Sequence, residues 1–388
     1  MHVLKLSDVY FPRINGVSTS IQTFRQALAQ QQVRVTVVAP QYANAAEAEG
    51  VIRLPSRRVP FDPEDRLMHG AALRQLPLRL AGAGIDLVHV QTPFAAHYAG
   101  LRLARQLGVP CVATYHTHFE EYLSHYIRFL PRALLRSAAR RLAKRQCDAL
   151  DAVVVPSRPM AETLLEYGIG APLHIIPTGL DAPQFVPGDG QRFRQVHDIG
   201  AERKIALFVG RAAFEKNIGF LLEVAAQARR HRPDLLLVVA GEGPALPALR
   251  RRAAALELQQ HVRFVGYLPR DSGLKDCYAA ADLFVFASLT ETQGLVLLEA
   301  MALGVPVLAI AALGSKEIVL PGRGAVAAPN EVAGFAVELV RLLDDPGQLA
   351  QLGRQGVAFA REWDANSQAA KLAALYHSLV SKPLGLAA

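Results

Sequence analysis

The chain alternates strand-like and helix-like segments from end to end, and this alternation is the feature that most constrains its fold. Short apolar runs typical of buried strands are separated by longer runs with helical periodicity. The first-half strands are predicted at Val3–Leu6, Val33–Ala39, Asp86–Val90, Cys111–Thr114 and Ala152–Val155, with helices such as Ser18–Gln30 and Ala95–Gln106. The second-half strands are predicted at Ile205–Val209, Leu235–Ala240, Val262–Val265, Leu283–Phe286, Val305–Ile310 and Gly324–Ala327. This order predicts an α/β fold with a parallel, doubly wound sheet in each half.

A segment rich in turn residues separates the two sets of strands. It runs from Pro177 to Gly190 and contains Pro-Thr-Gly-Leu-Asp and Pro-Gly-Asp-Gly. Since 388 residues are also many for one core, two domains are expected. We predict a first domain over residues 1–180, a second over 181–364, and a C-terminal helix near 365–388 that can pack back on the first. Two facing Rossmann-like domains would bind a ligand in the cleft at the carboxyl ends of their strands.

The composition is that of a soluble globular protein, with 51% hydrophobic and 20% charged residues. Its three cysteines, Cys111, Cys147 and Cys277, lack the spacing of a disulfide pair or a metal site. We interpret them as reduced thiols of a cytoplasmic protein. No secretory signal is recognised ahead of the first strand.

The net charge of +8 is concentrated in the first half of the chain. Residues 1–180 contain 20 Lys and Arg against 13 Asp and Glu, whereas residues 181–388 contain 22 against 21. Part of the excess forms a basic stripe of Arg132, Arg136, Arg140 and Lys144, which recur at every fourth position after Pro131. Residues at this spacing share one face of a helix.

Apolar residues accompany the basic stripe, and together they favour a helix that lies on an anionic membrane surface. Within the helix these are Leu134, Leu135, Ala138 and Leu142, and ahead of it are Tyr122, Tyr126, Ile127, Phe129 and Leu130. The alternative is a solvated helix face with no partner. Nucleic-acid binding is not expected, because no recognised nucleic-acid motif accompanies the charge.

Two carboxylates, Glu291 and Glu299, lie eight residues apart after a predicted strand. Glu291 falls in the strand-to-helix loop and Glu299 within the helix, so their backbones are about 12 Å apart. A glycosidase needs its two carboxyl groups about 5 to 9.5 Å apart around one bond. The wider spacing suits a long polar ligand held at two points, although either acid could instead belong to a structural ion pair.

Between these acids, Gly294 and the amides of Leu295 and Val296 begin a helix, where unpaired N–H groups favour an anion. Residues 294–314 contain one charge and could also be considered as a membrane span. The internal glycines, Pro306 and Glu299 favour a helix, a turn and a strand instead.

Two further loops follow predicted strands. The loop from Pro12 to Val17 contains Gly16, which allows close backbone approach to a ligand; a plain turn is the alternative. The loop from Gly210 to Asn217 contains Arg211 and Lys216. The planar guanidinium of the arginine and the compact ammonium of the lysine suit a diphosphate; surface ion pairing is the alternative. The chain lacks both a Gly-x-Gly-x-x-Gly turn after its first strand and a P-loop, which argues against a dinucleotide dehydrogenase or a P-loop enzyme.

A third loop, Thr114 to Tyr122, follows a buried strand and contains His116. This histidine is placed to form hydrogen bonds or relay a proton near a sugar. A zinc site formed by His116, His118 and Glu120 is the alternative, but further clustered ligands are missing.

Taken together, these motifs resemble the group 1, family four glycosyltransferases of the GT-B fold. The resemblance covers nearly the whole chain and depends on the order and spacing of its motifs. They are Asn15-Gly16-Val17, Gly210-Arg211 with Glu215-Lys216-Asn217, Gly241-Glu242-Gly243-Pro244, the Glu291/Glu299 pair, and Glu299 to Ala302 followed by Gly304 to Val307. One departure is Thr292-Gln293-Gly294, where many members have Phe before the glycine.

The resemblance implies roles for individual residues toward a nucleotide-diphosphate sugar. Arg211 and Lys216 would hold the diphosphate, Glu299 the ribose hydroxyls, and Glu291 with Thr292, Gln293, Gly294 and Leu295 the sugar. Gly16 would contact the donor phosphate, and His116 the sugar near its C6 hydroxyl or the acceptor. His116, Glu291, Arg211 and Lys216 would form the catalytic set.

The resemblance also implies retention of anomeric configuration without a metal or other cofactor, and the chain has no Asp-x-Asp motif. The motifs look most like the branch that glycosylates diacylglycerol or other lipids. We therefore predict a hexosyltransferase that acts on a lipid acceptor at the inner face of the cell membrane. The alternatives are transfer to a soluble sugar or polysaccharide, and a nucleotide-sugar epimerase or binding protein.

Overall fold

The computed structural model describes residues 1–381 except 44, 60–61, 117–131, 182–183 and 271. The chain divides into two compact units. The first unit comprises Met1–Gly179 and Ala365–Ala388, and the second comprises Leu180–Asp364.

The first unit is built on a parallel sheet whose strand order is β3-β2-β1-β6-β7-β8-β9. Strands β4 and β5 form a separate antiparallel hairpin. The strands are β1 His2–Leu6, β2 Arg34–Pro40, β3 Val51–Leu54, β4 Ser56–Val59, β5 Asp62–Met68, β6 Leu87–Val90, β7 Cys111–Thr114, β8 Ala152–Val155 and β9 Leu173–Ile175. The helices are α1 Gly16–Gln30, α2 Gly70–Arg74, α3 Leu76–Arg79, α4 Ala95–Leu107, α5 Arg132–Cys147, α6 Arg158–Glu166 and, from the C-terminal segment, α14 Ala365–Val380.

Helices α1 and α14 pack together on this sheet. Ile21 and Leu28 of α1 share one core cluster with Leu372 and Tyr376 of α14. Helix α1 is capped by Asn15, whose side chain accepts a hydrogen bond from the Ser18 amide at 2.9 Å. The Ser18 hydroxyl accepts one from the Asn15 amide at 2.9 Å, and this reciprocal cap fixes the first turn.

The second unit contains a parallel sheet with the strand order β12-β11-β10-β13-β14-β15. The strands are β10 Lys204–Val209, β11 Leu235–Ala240, β12 Val262–Gly266, β13 Leu283–Phe286, β14 Val307–Ala309 and β15 Ala325–Ala327. The helices are α7 Gly190–Val196, α8 Ile218–Ala228, α9 Leu246–Ala255, α10 Gly273–Ala280, α11 Leu295–Ala302, α12 Val332–Leu343 and α13 Pro346–Ala360, with 3-10 turns at Phe214–Lys216, Leu313–Glu317 and Arg361–Trp363. Strands β11 and β13 are buried along their whole length, as expected for strands covered on both faces.

The predicted α/β class with two parallel sheets is confirmed. Strands β3 and β9 and the β4–β5 hairpin were not predicted, because these elements are short or charged and contain no continuous apolar run. Segment 294–314 forms helix α11, a turn and strand β14, as predicted. Within the described residues, no helix is both long and apolar enough to span a membrane.

Candidate active site

Two glycine loops interlock at the carboxyl ends of β10 and β11. The Gly210 amide donates to the carbonyl of Ala240 at 3.0 Å, and the Ala212 amide donates to the carbonyl of Glu242 at 2.8 Å. A Cβ atom on Gly241 would lie 1.9 Å from the Gly210 carbonyl oxygen. Gly241 also has a φ of +142°, which side chains other than glycine rarely adopt. The backbone around Arg211 is therefore held in one conformation.

Lys216 is positioned by a 3-10 turn that is tied to the end of β13. Asn217 ends this turn with a φ of +55°, and its side-chain amide donates to the carbonyl of Ala287 at 3.2 Å. The Ser288 hydroxyl donates to the carbonyl of Glu215 at 3.0 Å. These bonds bring Lys216 to Glu291, where Nζ and Oε2 are 2.5 Å apart.

A second cation lies at the start of the same loop. Arg211 Nη1 is 4.0 Å from Glu215 Oε1, and the two side chains are only 19% and 14% exposed. The ends of β10 and β13 thus present two cations and two carboxylates with restricted access to water. Cations held in this way can neutralise a charged ligand more strongly than cations in bulk solvent.

The loop that contains Glu291 is clamped by a further glycine. A Cβ atom on Gly314 would lie 2.0 Å from the Thr292 carbonyl oxygen, and the Gly314 amide donates to the Glu291 carbonyl at 2.9 Å. The sequence suggested no role for this glycine. The close approach fixes Thr292 and Gln293, which are both buried.

Gly294 immediately precedes helix α11, has a φ of +98° and offers no side chain to cap the helix. The first amides of a helix have no partner within it, and the helix dipole makes this end positive. Leu295 and Val296 occupy these positions, shortly after Glu291 along the chain. The arrangement suits an anion.

Glu299 lies inside α11 with only 6% of its side chain exposed, and it forms an ion pair with Arg270. Arg270 follows β12, and the charge of Glu299 raises the pKa of its guanidinium. The same charge adds to burial in raising the pKa of the Tyr278 hydroxyl well above its usual value. Arg270 was not among the predicted residues; the available signal was that a buried acid requires a cation.

In the first unit, Gly16 is the first residue of α1. A Cβ atom there would meet no described atom within 4 Å, and Gly16 is not among the residues with positive φ. Neither packing nor backbone conformation in the described part of the unit explains this glycine.

His116 follows β7, and its Nε2 is 3.1 Å from Gln91 Oε1. Burial, with a smaller effect from the charge of Lys5, lowers the pKa of His116 to about 3. The imidazole is therefore neutral at physiological pH and can act as a hydrogen-bonding group. His118 and Glu120 of the zinc alternative lie outside the described residues, and the described part of the chain contains no cluster of three or more potential metal ligands.

Helix α5 carries the predicted basic stripe from its first residue, Arg132, onward. Arg140 lies over the ring of Tyr167 at 5.1 Å, and Lys144 is 2.7 Å from the Asp148 carboxylate. The predicted apolar side is divided, because Leu135 is buried whereas Leu134 and Leu142 are 59% and 47% exposed. Pro131 and the apolar residues between 122 and 130 lie outside the described residues.

Both halves of the chain match known protein families. Residues 14–183 match Glycosyltransferase Family 4, and residues 189–359 match Glycosyl transferases group 1. The chain is a group 1 glycosyltransferase. This confirms the resemblance seen in the sequence, together with the GT-B fold and the general activity.

Relatives of this glycosyltransferase include proteins named for lipid acceptors. It is 34% identical to an alpha-monoglucosyldiacylglycerol synthase of Streptococcus pneumoniae over 319 residues, which are 80% of this chain and 71% of the relative. It is 30% identical to a GDP-mannose-dependent alpha-(1-6)-phosphatidylinositol monomannoside mannosyltransferase of Mycolicibacterium smegmatis, over 96% of this chain and 97% of the relative.

A solved structure, Anabaena HepE in complex with UDP-glucose, matches the fold with a TM-score of 0.76. The match covers 98% of this chain and 100% of HepE at 19% identity. At this identity the likeness concerns the fold alone.

Proposed function

We propose that this glycosyltransferase moves a hexose from a nucleotide-diphosphate sugar to a lipid acceptor of the diacylglycerol type, with retention of anomeric configuration and without a metal. The observation that carries the donor half is the pairing of Lys216, from the loop after β10, with Glu291, from the loop between the neighbouring strand β13 and helix α11. Arg211 lies in the same loop as Lys216. The names of the two relatives support a lipid acceptor.

In this proposal the second unit binds the donor. Arg211, Lys216 and the amides after Gly294 hold the diphosphate, and Glu299 accepts hydrogen bonds from the ribose hydroxyls. Glu291 and the loop from Thr292 to Leu295 bind the sugar. Lys216 is paired with Glu291 at 2.5 Å, so donor binding gives its ammonium a second anion to neutralise.

The first unit supplies the remaining contacts. Gly16 lets the backbone approach the donor phosphate, and His116 binds the sugar near its C6 hydroxyl or the acceptor. As a neutral imidazole, His116 would polarise or orient a hydroxyl group without adding charge next to the reacting centre.

The proposed chemistry depends on charge that develops on the leaving group. The bond between the anomeric carbon and the diphosphate oxygen breaks, and the sugar passes through an oxocarbenium-like state. The acceptor oxygen bonds to the anomeric carbon on the same face, and its proton leaves with the diphosphate. Arg211 and Lys216 stabilise the departing anion, which is the kind of preorganised electrostatic contribution that accelerates such transfers most.

The basic stripe on α5 is proposed to dock the enzyme on anionic lipid at the inner face of the cell membrane. Arg136 and Arg140 are exposed, as are Leu134 and Leu142, so charge and apolar surface occur along the same helix. Lys144 already neutralises Asp148 and is expected to contribute less than the arginines.

The test is to incubate the purified enzyme with UDP- and GDP-hexoses and a lipid extract, and to identify products by mass spectrometry. A new glycolipid with the α-configured sugar of an α-configured donor, formed in the presence of EDTA, is expected. Loss of activity with EDTA that a divalent cation restores contradicts the metal-free mechanism. Transfer to soluble sugars alone contradicts the lipid acceptor.

A further inference from the structure

The buried carboxylate of Glu299 in the second unit is paired with an arginine that is partly exposed to solvent. Its own side chain is 6% exposed, whereas that of its partner Arg270 is 33% exposed. The arginine comes from the segment after β12 and the acid from α11, so two separate elements of the sheet's carboxyl edge meet at this pair.

The hydrogen bond of the pair leads from Arg270 Nη2 to Glu299 Oε1. Tyr278 also lies beside this carboxylate, whose charge adds to burial in raising the pKa of the Tyr278 hydroxyl. A guanidinium is planar and rigid, so it restricts the direction in which a bound carboxylate faces. In the proposed function, the carboxylate held in this direction accepts hydrogen bonds from the ribose hydroxyls.

We propose that Arg270 is the positioning residue that orients Glu299 toward the ribose diol and thereby lets the enzyme select ribonucleotide over deoxyribonucleotide donors. The proposal rests on the proposed function, in which Glu299 accepts the ribose hydroxyls. Arg270 does not itself contact the hydroxyls; it sets the direction in which the Glu299 carboxylate accepts their hydrogen bonds. A site built to hydrogen-bond a hydroxyl rejects an analogue that lacks it.

The experiment measures equilibrium binding of UDP and GDP and of their 2′,3′-dideoxy analogues to the full chain. For the nucleotide that binds, the wild type is expected to favour the ribose form about tenfold to a hundredfold. Glu299→Ala should reduce this preference to nearly one. Arg270→Ala should also reduce the preference for ribose, to within about threefold of that in Glu299→Ala. Arg270→Lys should give an intermediate preference, since lysine keeps the positive charge but lacks the planar guanidinium.

The preference for ribose separates positioning from a general structural effect, which would weaken both nucleotides equally. Arg252→Ala is the matched control, because Arg252 forms an exposed ion pair with Glu223 at 2.7 Å in the same unit; it should keep the wild-type preference. If Arg270→Ala does not fold, as judged by its melting curve, Arg270→Lys decides.

Two further outcomes are distinguishable. A wild type that binds both forms equally contradicts the assignment of Glu299 to ribose in the proposed function, and the role of Arg270 falls with it. A wild type that prefers ribose, beside Arg270 variants with the same preference, overturns only the positioning role.

Discussion

The glycines of the candidate-site loops differ between the two units. In the second unit, Cβ atoms on Gly241 and Gly314 would come within 1.9 and 2.0 Å of carbonyl oxygens from neighbouring loops. In the first unit, a Cβ atom on Gly16 would meet no described atom within 4 Å. A glycine required by the fold explains how a loop is held, whereas one that the described fold does not require suggests that something else must approach the backbone there.

The polar side chains of the two units also differ in where they form their contacts. In the second unit the predicted residues pair across loops that are far apart in sequence, as Lys216 does with Glu291. In the first unit a buried network lies in the core instead: His89 Nδ1 is 2.5 Å from the Tyr376 hydroxyl, and the Lys5 side chain lies over Phe24 at 5.2 Å. The candidate site of the second unit thus joins charges from separate loops, whereas the first unit buries Lys5 and His89 within its core.

The largest expected effect tests the charges of the second unit. Lys216→Ala and Arg211→Ala should each lower kcat about 10²- to 10³-fold, because each would remove a preorganised cation from the leaving diphosphate. Steady-state kinetics would show this, with circular dichroism as the check on folding. A folded variant of either residue with kcat within threefold of wild type would contradict its catalytic assignment.

A smaller effect is expected for the basic stripe of the first unit. Replacing Arg132, Arg136, Arg140 and Lys144 by Gln should weaken binding to anionic vesicles by about 3 kcal/mol, since each basic residue near such a surface contributes about 1 kcal/mol and Lys144 is partly engaged by Asp148. Vesicle sedimentation measures the change, and added salt should weaken wild-type binding in the same direction.

The matched control changes the same number of charges in the other unit, at the exposed residues Arg230, Arg250, Arg251 and Arg252. It should bind vesicles like wild type if the position of the charges matters. If both quadruple variants, or neither, lose vesicle binding, the stripe is not a specific docking surface. Affinity for the nucleotide should be unchanged in the stripe variant.

Sequence predicted the sheets well because their strands are continuous apolar runs, and strand Leu235–Ala240 has the predicted bounds. Lys216 and Glu291 were predicted from loops that follow strands, and the structure pairs them; their roles at a site stay predictions. Arg270 and Gly314 were not predicted, because each acts through a residue more than 20 positions away in the sequence. Arg270 contacts Glu299, and Gly314 lies against Thr292. Lys5 escaped because a lysine in a short apolar strand is expected at the surface, yet it is 0% exposed.

The buried lysine gives a pH dependence that belongs to the first unit. Burial lowers the pKa of Lys5 from 10.5 to about 7. Between these values the unfolded chain binds the proton and the folded chain does not, so the contribution of Lys5 to the free energy of unfolding rises with pH on the order of 1 kcal/mol per unit. Lys5→Met should therefore be more stable than wild type near pH 7.5, and its advantage should shrink toward pH 10.5.

Denaturant melts of both proteins across this range measure the difference, in which the other titrating groups largely cancel. An advantage that stays constant with pH would show that Lys5 has an ordinary pKa in the folded protein. Lys204→Met provides the control, because Lys204 is 37% exposed and pairs with Asp282 in the second unit; it should give no comparable gain in stability at pH 7.5.

The smallest expected change in stability is at Gly16, and it sharpens the comparison between the units. Gly241→Ala should cost about 1 to 3 kcal/mol, because the added Cβ atom meets a backbone oxygen that cannot move freely. Gly16→Ala should change the free energy of unfolding by less than about 0.5 kcal/mol, since the space around it is open.

The kcat/KM of Gly16→Ala should nevertheless fall about a hundredfold if the donor phosphate must approach this backbone closely. Urea melts and initial rates on the same two preparations give both quantities. A Gly16→Ala enzyme with wild-type rates would show that the glycine serves only the turn, and one as unstable as Gly241→Ala would show that the two units do not differ in this respect.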